Sequence, residues 1–129
     1  MCGLAGFSLT LGAHPIPCWV NSALQALNHR GPDDSGIFQD LDQGISLIHT
    51  RLSILDLSPM GHQPMVSDHK NVVLVFNGEI YNYQEIRSEL KAEGYSFRGT
   101  SDTEVLLSLY LKLRNEGNRR PSAQAISAV

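Results

Sequence analysis

Val72-Val73-Leu74-Val75-Phe76 is an unbroken apolar run rich in β-branched residues, and it restricts the fold of this chain more than any other stretch. A half-exposed strand alternates apolar and polar residues, whereas a run apolar at every position reads as a strand covered on both faces. The segment is therefore expected in the core. Elsewhere, segments with a two-residue apolar period alternate with helical ones. A strand is predicted at about 3–10, followed by the turn-rich Gly12-Ala13-His14-Pro15-Ile16-Pro17. Val20, Ala23, Leu24 and Leu27 have the spacing of one buried helical face, and Gly31-Pro32 stops that helix after His29-Arg30. Strands at 36–39 and 45–50 flank Leu41-Asp42-Gln43-Gly44, which closes a hairpin, and a long loop spans 58–69.

Two later segments carry the same helix-start signature. Asn82 followed by Glu85 resembles a capping box, opening a helix that buries Ile86 and Leu90 and ends at Gly94. Ser101 with Glu104 repeats the pattern, opening a helix with Val105, Leu106, Leu109, Tyr110 and Leu113 along one face. From Arg114 onward, breakers and small residues leave too few large apolar groups to anchor the chain. The expected organisation is thus one domain over 1–113 and a frayed tail over 114–129. With 129 residues, 42% of them apolar, there is material for a core and no apolar stretch long enough to span a membrane.

Two cysteines without a secretory-type leader read as free thiols in a reducing, cytoplasmic setting. The net charge of -3 is scattered, which gives neither a basic stripe for nucleic acid nor a cationic amphipathic helix for a membrane. A small molecule is the expected ligand.

Cys2 follows the initiator Met1, so removal of one residue would place a thiol and a free α-amine on the same residue. With ordinary pKa values of about 7.7–8.0 for the amine and about 8.5 for the thiol, the amine can take the thiol proton near neutral pH. The plain alternative is a small buried Cys opening the strand Leu4-Ala5-Gly6-Phe7. Arg51, at a strand end, offers a forked donor set suited to an α-carboxylate, or else pairs with a surface acid. Asn77-Gly78 directs a side-chain amide and a backbone N–H at one developing oxyanion. Asn-Gly is equally a hairpin signal, although the following Glu79-Ile80-Tyr81-Asn82 is too short for a long returning strand. Asp102 at a helix start suits the helix dipole whatever its role, and also suits an ammonium. His29 and His49 have no zinc-like partners in the spacing, so they read as structural and no metal site is expected.

In order, Met1-Cys2-Gly3, His29-Arg30-Gly31-Pro32-Asp33, Arg51-Leu52-Ser53-Ile54, Phe76-Asn77-Gly78-Glu79-Ile80-Tyr81-Asn82 and Ser101-Asp102-Thr103-Glu104 resemble the class II glutamine amidotransferases of the N-terminal-nucleophile hydrolase superfamily. The wording is most similar to the glutaminase domain of glutamine-hydrolysing asparagine synthetases, from Met1 to about Leu111. The resemblance implies an α+β fold, an αββα sandwich with antiparallel sheets. It also implies catalysis by Cys2 on the side-chain amide of L-glutamine, through a γ-glutamyl thioester, with the α-amine as base. By the same resemblance Asn77 and Gly78 donate to the oxyanion, and Arg51 grips the α-carboxylate with Leu52, Ser53, Ile54 and Leu55 lining the site. Glu79 lies beside them, and Asp102 binds the α-amine.

The ammonia would pass to a synthetase domain that uses ATP and magnesium; this chain encodes no such domain and implies no cofactor of its own. After Leu111 the family's usual continuation gives way to the polar tail, so the sandwich is expected to be incomplete at its C-terminus and the chain to be a truncated form. Open strand edges make a non-catalytic interaction module, or a homo-oligomer, the competing expectation. A glutaminase domain serving a different acceptor, such as a sugar, is the third.

Overall fold

A computed structural model describes residues 1–9, 17–54, 56–69 and 71–117. The elements run β1 (Gly3–Ser8), α1 (Pro17–Leu27), β2 (Asp34–Asp40), β3 (Ile45–Arg51), a 3-10 turn at Pro59–Gly61, β4 (Met65–Val66), β5 (Val73–Leu74), α2 (Tyr83–Ala92) and α3 (Asp102–Gly117). The fold is α+β. Both sheets are antiparallel, one with strand order β1-β3-β2 and the other with β4 beside β5.

β2 and β3 form the expected hairpin, with Gly44 at its end in the left-handed region (φ 65°) that glycine adopts without a side-chain clash. β1 returns from the far end of the sequence to pair with β3, with Gly3 opposite Thr50. That register brings Cys2 alongside the end of β3. α1 packs against β3 and β1, where Thr50 Oγ1 donates to the Leu27 carbonyl at 3.1 Å and the rings of Phe7 and Trp19 lie 6.4 Å apart. Ile48 at the centre of β3 is fully buried.

α2 and α3 pack on each other around Leu90 and Val105, both fully buried. α2 ends as expected: Gly94 takes φ 95°, and the Tyr95 and Gly94 amides donate to the carbonyls of Leu90 and Lys91. Arg87 lies over the Phe97 ring at 4.5 Å, which ties α2 to the connection that follows it.

Several expectations are corrected. Val72–Phe76 is not a strand covered on both faces: only Val73–Leu74 is strand, and all five residues are half-buried. β5 pairs only with the two-residue β4 among the described residues, so one edge has no described partner. A strand's burial depends on what stacks on it, which its own composition does not specify. The 58–69 loop is partly ordered into the 3-10 turn and β4. Asn82 begins α2 without any side-chain capping bond, so the first capping box does not form. Ser101 does cap α3, accepting the Glu104 amide at 3.2 Å, while the Glu104 carboxylate reaches back to the amides of Arg98 and Gly99. On α3, Leu107 is buried beside Val105, whereas Leu106, Leu109, Tyr110 and Leu113 are half-buried. α3 also continues through Gly117, so 114–117 are helical; the remainder of the expected tail, 118–129, and the turn-rich 12–16 lie outside the described residues.

Candidate active site

Among the described residues, clefts of about 320 Å³ open at two places on the surface, so size alone does not select one. One is bounded by Pro59, Met65, Arg98 and Leu111 and contains none of the candidate residues. The other is lined by Cys2, Arg51, Leu52, Ile54, Asn77, Gly78, Glu79 and Asp102, together with Met1, Asp56, Gln63 and Thr103. Of the candidates, Ser53 does not line this cleft, its backbone amide instead donating to Asp33 at 2.8 Å. Leu55 lies outside the described residues.

One wall is built by strand pairing. The Cys2 Sγ accepts the Leu52 amide at 3.3 Å, and the Cys2 carbonyl accepts Arg30 Nε at 3.0 Å. The Cys2 thiol in turn donates to the Leu52 carbonyl at 3.7 Å, so both peptide groups of Leu52 hold the sulfur. The His29–Asp33 turn, which local physics reads as a bare loop, is a brace for this wall. Its Gly31 lies so close to the end of β3 that a Cβ there would meet the Thr50 carbonyl oxygen at 2.4 Å. Asp33 joins the same strand end by donating its amide to the Arg51 carbonyl at 3.0 Å. Cys2 and Cys18 are both free.

Arg51 is buried and forms no ion pair with a described acid, so the surface-pair alternative does not apply. Its guanidinium donates to the carbonyls of Asp56 and Ser58, which fix its plane and leave further N–H groups for a ligand. Gly61 leaves room for it, since a Cβ there would overlap the guanidinium. Asp56 holds this loop in place. Burial pushes its carboxyl up, but hydrogen bonds from the Ser58 hydroxyl and amide and from Thr100 outweigh that and bring it down to about 2.

The opposite wall is a loop facing a helix start. Asn77, Gly78 and Glu79 are exposed and form no hairpin turn; the chain runs on directly to α2. Gly78 sits against the Phe76 ring, whose Cζ would lie 2.8 Å from a Cβ. Asp102, at the first turn of α3, is buried and accepts the Ile80 amide at 3.1 Å. Phe76 is held on both sides, its amide donating to Gln63 Oε1 at 2.6 Å and its carbonyl lying 3.2 Å from His49 Nε2. Burial lowers the His49 pKa, and its Nδ1 has no partner among the described residues, so this histidine is neutral and only half satisfied.

Sequence reasoning missed Asp56 and Gln63, and gave Arg30, Asp33 and Thr103 no role beyond their place in the motifs. Asp56-Leu57-Ser58-Pro59 is a readable turn signature, because Asp and Ser side chains bond to backbone amides close by. Gln63 carries no local signal, as its partners are 13 and 40 residues away in the chain. Among the described residues no group of three or more His, Cys, Asp or Glu is arranged to hold a metal ion, and no helix is long and apolar enough to cross a membrane.

The cleft thus unites a thiol, a buried cation, a buried carboxylate and an exposed loop that carries Asn77 and Gly78. Residues 1–120 match the glutamine amidotransferase domain. The chain belongs to this family. It is 42% identical over 129 residues to a Methanocaldococcus jannaschii protein provisionally named a glutamine-hydrolysing asparagine synthetase, covering 88% of this chain and 24% of that protein. It is 40% identical over 122 residues to glutamine-hydrolysing asparagine synthetase 1 of Bacillus subtilis, covering 90% of this chain and 18% of that one. With the amidase chry2 of Gibberella zeae it shares 34% identity over 120 residues, 85% of this chain and 18% of the relative. The glutamine amidotransferase domain described here therefore spans less than a quarter of the length of these relatives.

Proposed function

We propose that this domain hydrolyses the side-chain amide of L-glutamine and, within a longer protein, supplies the ammonia for asparagine synthesis. One observation carries the reading: Cys2, Arg51, Asn77, Gly78, Glu79 and Asp102, far apart in sequence, line a single cleft. Arg51 and Asp102 give the cleft a cationic and an anionic pole, complementary to the α-carboxylate and α-ammonium of an amino acid. Met1 is 76% exposed and open to an aminopeptidase.

With Met1 removed, the Cys2 α-amine takes the thiol proton and Sγ attacks the glutamine amide carbon. An S–C bond forms, and the oxyanion accepts hydrogen bonds from the Asn77 side chain and the Gly78 amide. As the C–N bond breaks, the α-amine returns the proton to the leaving nitrogen and ammonia departs. Water then attacks the γ-glutamyl thioester, glutamate leaves and the thiol regains its proton. The resemblance further assigns the two antiparallel sheets to an αββα sandwich and Cys2 to the N-terminal-nucleophile class.

Intact mass is expected to lack Met1, and 6-diazo-5-oxonorleucine to add covalently at Cys2. Cys2→Ala is expected to reduce glutamate release to background, a loss of at least about 1,000-fold. Retention of Met1 in an active preparation, no adduct on the Met1-free chain, or unchanged release by Cys2→Ala would each overturn the reading.

The non-catalytic alternative draws on the two outer edges of the larger sheet, β1 and β2, which carry exposed Leu4 and Ile37. Edge pairing between copies predicts a concentration-dependent dimer by light scattering, and a monodisperse monomer counts against it.

A further inference from the structure

Gln63 is a buried side chain that the proposed chemistry leaves without a task, yet both ends of its amide are engaged. Its Oε1 accepts the Phe76 amide at 2.6 Å, and its Nε2 donates to Thr103 Oγ1 at 3.3 Å. Thr103 Oγ1 in turn donates to Asp102 Oδ1 at 3.4 Å. The direction of this chain follows from chemistry. An ionised carboxylate only accepts, so the Thr103 hydroxyl gives its proton to Asp102 and takes one from an amide NH2. The amide oxygen must then face Phe76, whose backbone N–H only donates. One orientation of Gln63 satisfies every member, and that is the orientation present.

Phe76 immediately precedes the Asn77-Gly78 donor segment, which is exposed and has no strand partner among the described residues. We infer that Gln63 is a positioning residue: through Thr103 it ties the Asn77-Gly78 segment to the carboxylate at the start of α3 and so holds that segment's place in the cleft. This rests on the glutaminase reading for its consequence, but the geometric link can be measured without activity. Small misplacements of donors from the reacting oxygen are costly in rate and nearly silent in ground-state binding.

The test compares the parent chain with Gln63→Leu, which keeps the volume and removes both bonds, and with Thr103→Val, which breaks the next link. Gln63→Leu is expected to accelerate amide exchange at Phe76 by at least about tenfold over the change at Val105 in α3, a local opening rather than global unfolding. Both variants are expected to shift the Asn77 and Gly78 amide resonances. Labelling of Cys2 by 6-diazo-5-oxonorleucine and kcat are expected to fall about tenfold or more in Gln63→Leu, with KM for glutamine within about threefold. Asn77 and Gly78 resonances that superimpose on the parent in both variants, or Phe76 exchange that rises only in step with Val105, overturn the assignment. If Gln63→Leu does not fold, the Thr103→Val resonances decide alone. A parent chain that shows the exchange pattern but no Cys2 adduct overturns the glutaminase reading and leaves the positioning result standing.

Discussion

The two walls of the cleft are built by opposite means. The Cys2 wall is fixed by strand register and close backbone contact: β1 pairs with β3 along its length, and Gly31 is pressed against the Thr50 carbonyl. The Asn77-Gly78 wall has no ladder, and it is held where Gln63 and His49 grip Phe76. A continuous ladder fixes the position of Cys2 cooperatively. Asn77 and Gly78 are placed instead by a few side-chain bonds to their neighbour Phe76, each of which a single substitution can remove.

The sharpest way to break this contrast is to add the same methyl group to each wall. Gly31→Ala sets a Cβ 2.4 Å from backbone atoms that cannot retreat, and is expected to cost about 3 kcal/mol in a urea unfolding curve. Gly78→Ala meets the Phe76 ring, which can swing aside, so its stability cost is expected within about 1 kcal/mol. Its effect should instead fall on glutamate release, down about 100-fold. Equal stability losses for the two would erase the distinction between the walls.

Arg51→Lys keeps the charge but loses the fork held by the Asp56 and Ser58 carbonyls. The expected result is a rise of about 30-fold in KM for glutamine, about 2 kcal/mol, with kcat nearly constant. A fall in kcat at constant KM would move Arg51 out of ground-state binding.

Acid should loosen both walls, at different pH. Asp56 titrates at about 2 in the fold against an ordinary 3.8, so its contribution is complete above pH 3.8 and lost as pH falls towards 2. The size is on the order of 1–2 kcal/mol, and Asp56→Asn should abolish that arm of a stability-against-pH curve. His49 acts in the same direction from a higher start: its folded pKa lies below 6.5, so stability is full above pH 6.5 and declines as pH falls through the folded value. Replacement by Gln should flatten this second arm.

The smallest expected effects separate the two capping-box sequences. Ser101→Ala removes a formed cap and should cost about 1 kcal/mol, whereas Asn82→Ala removes none and should cost about 0.3 kcal/mol or less.

What could be read from the chain differs between these features for physical reasons. The β2–β3 hairpin, the Gly94 helix stop and the Ser101 cap depend on neighbours within a few residues, so their signals are local. Asn82 and Glu85 spell the same box as Ser101 and Glu104, but the side-chain bond did not form, because a cap competes with whatever else the surrounding chain offers. The apolar run 72–76 specifies a preference for burial and nothing about which element supplies it. Cys2, Arg51, Asn77 and Asp102, each ambiguous alone, were identifiable from the order of the motifs that carry them. Gln63 was not, since an amide acquires meaning only from its partners.

The sequence by itself determined the position of most helices and turns, which depend on local propensity, and, through the order of its motifs, the family. The tertiary structure alone decided that Cys2, Arg51, Asn77 and Asp102 share one cleft, that Ser53 does not line it, and that Gln63 links Phe76 to Thr103. Those outcomes depend on strand register and on contacts tens of residues apart in the chain, which no local pattern specifies.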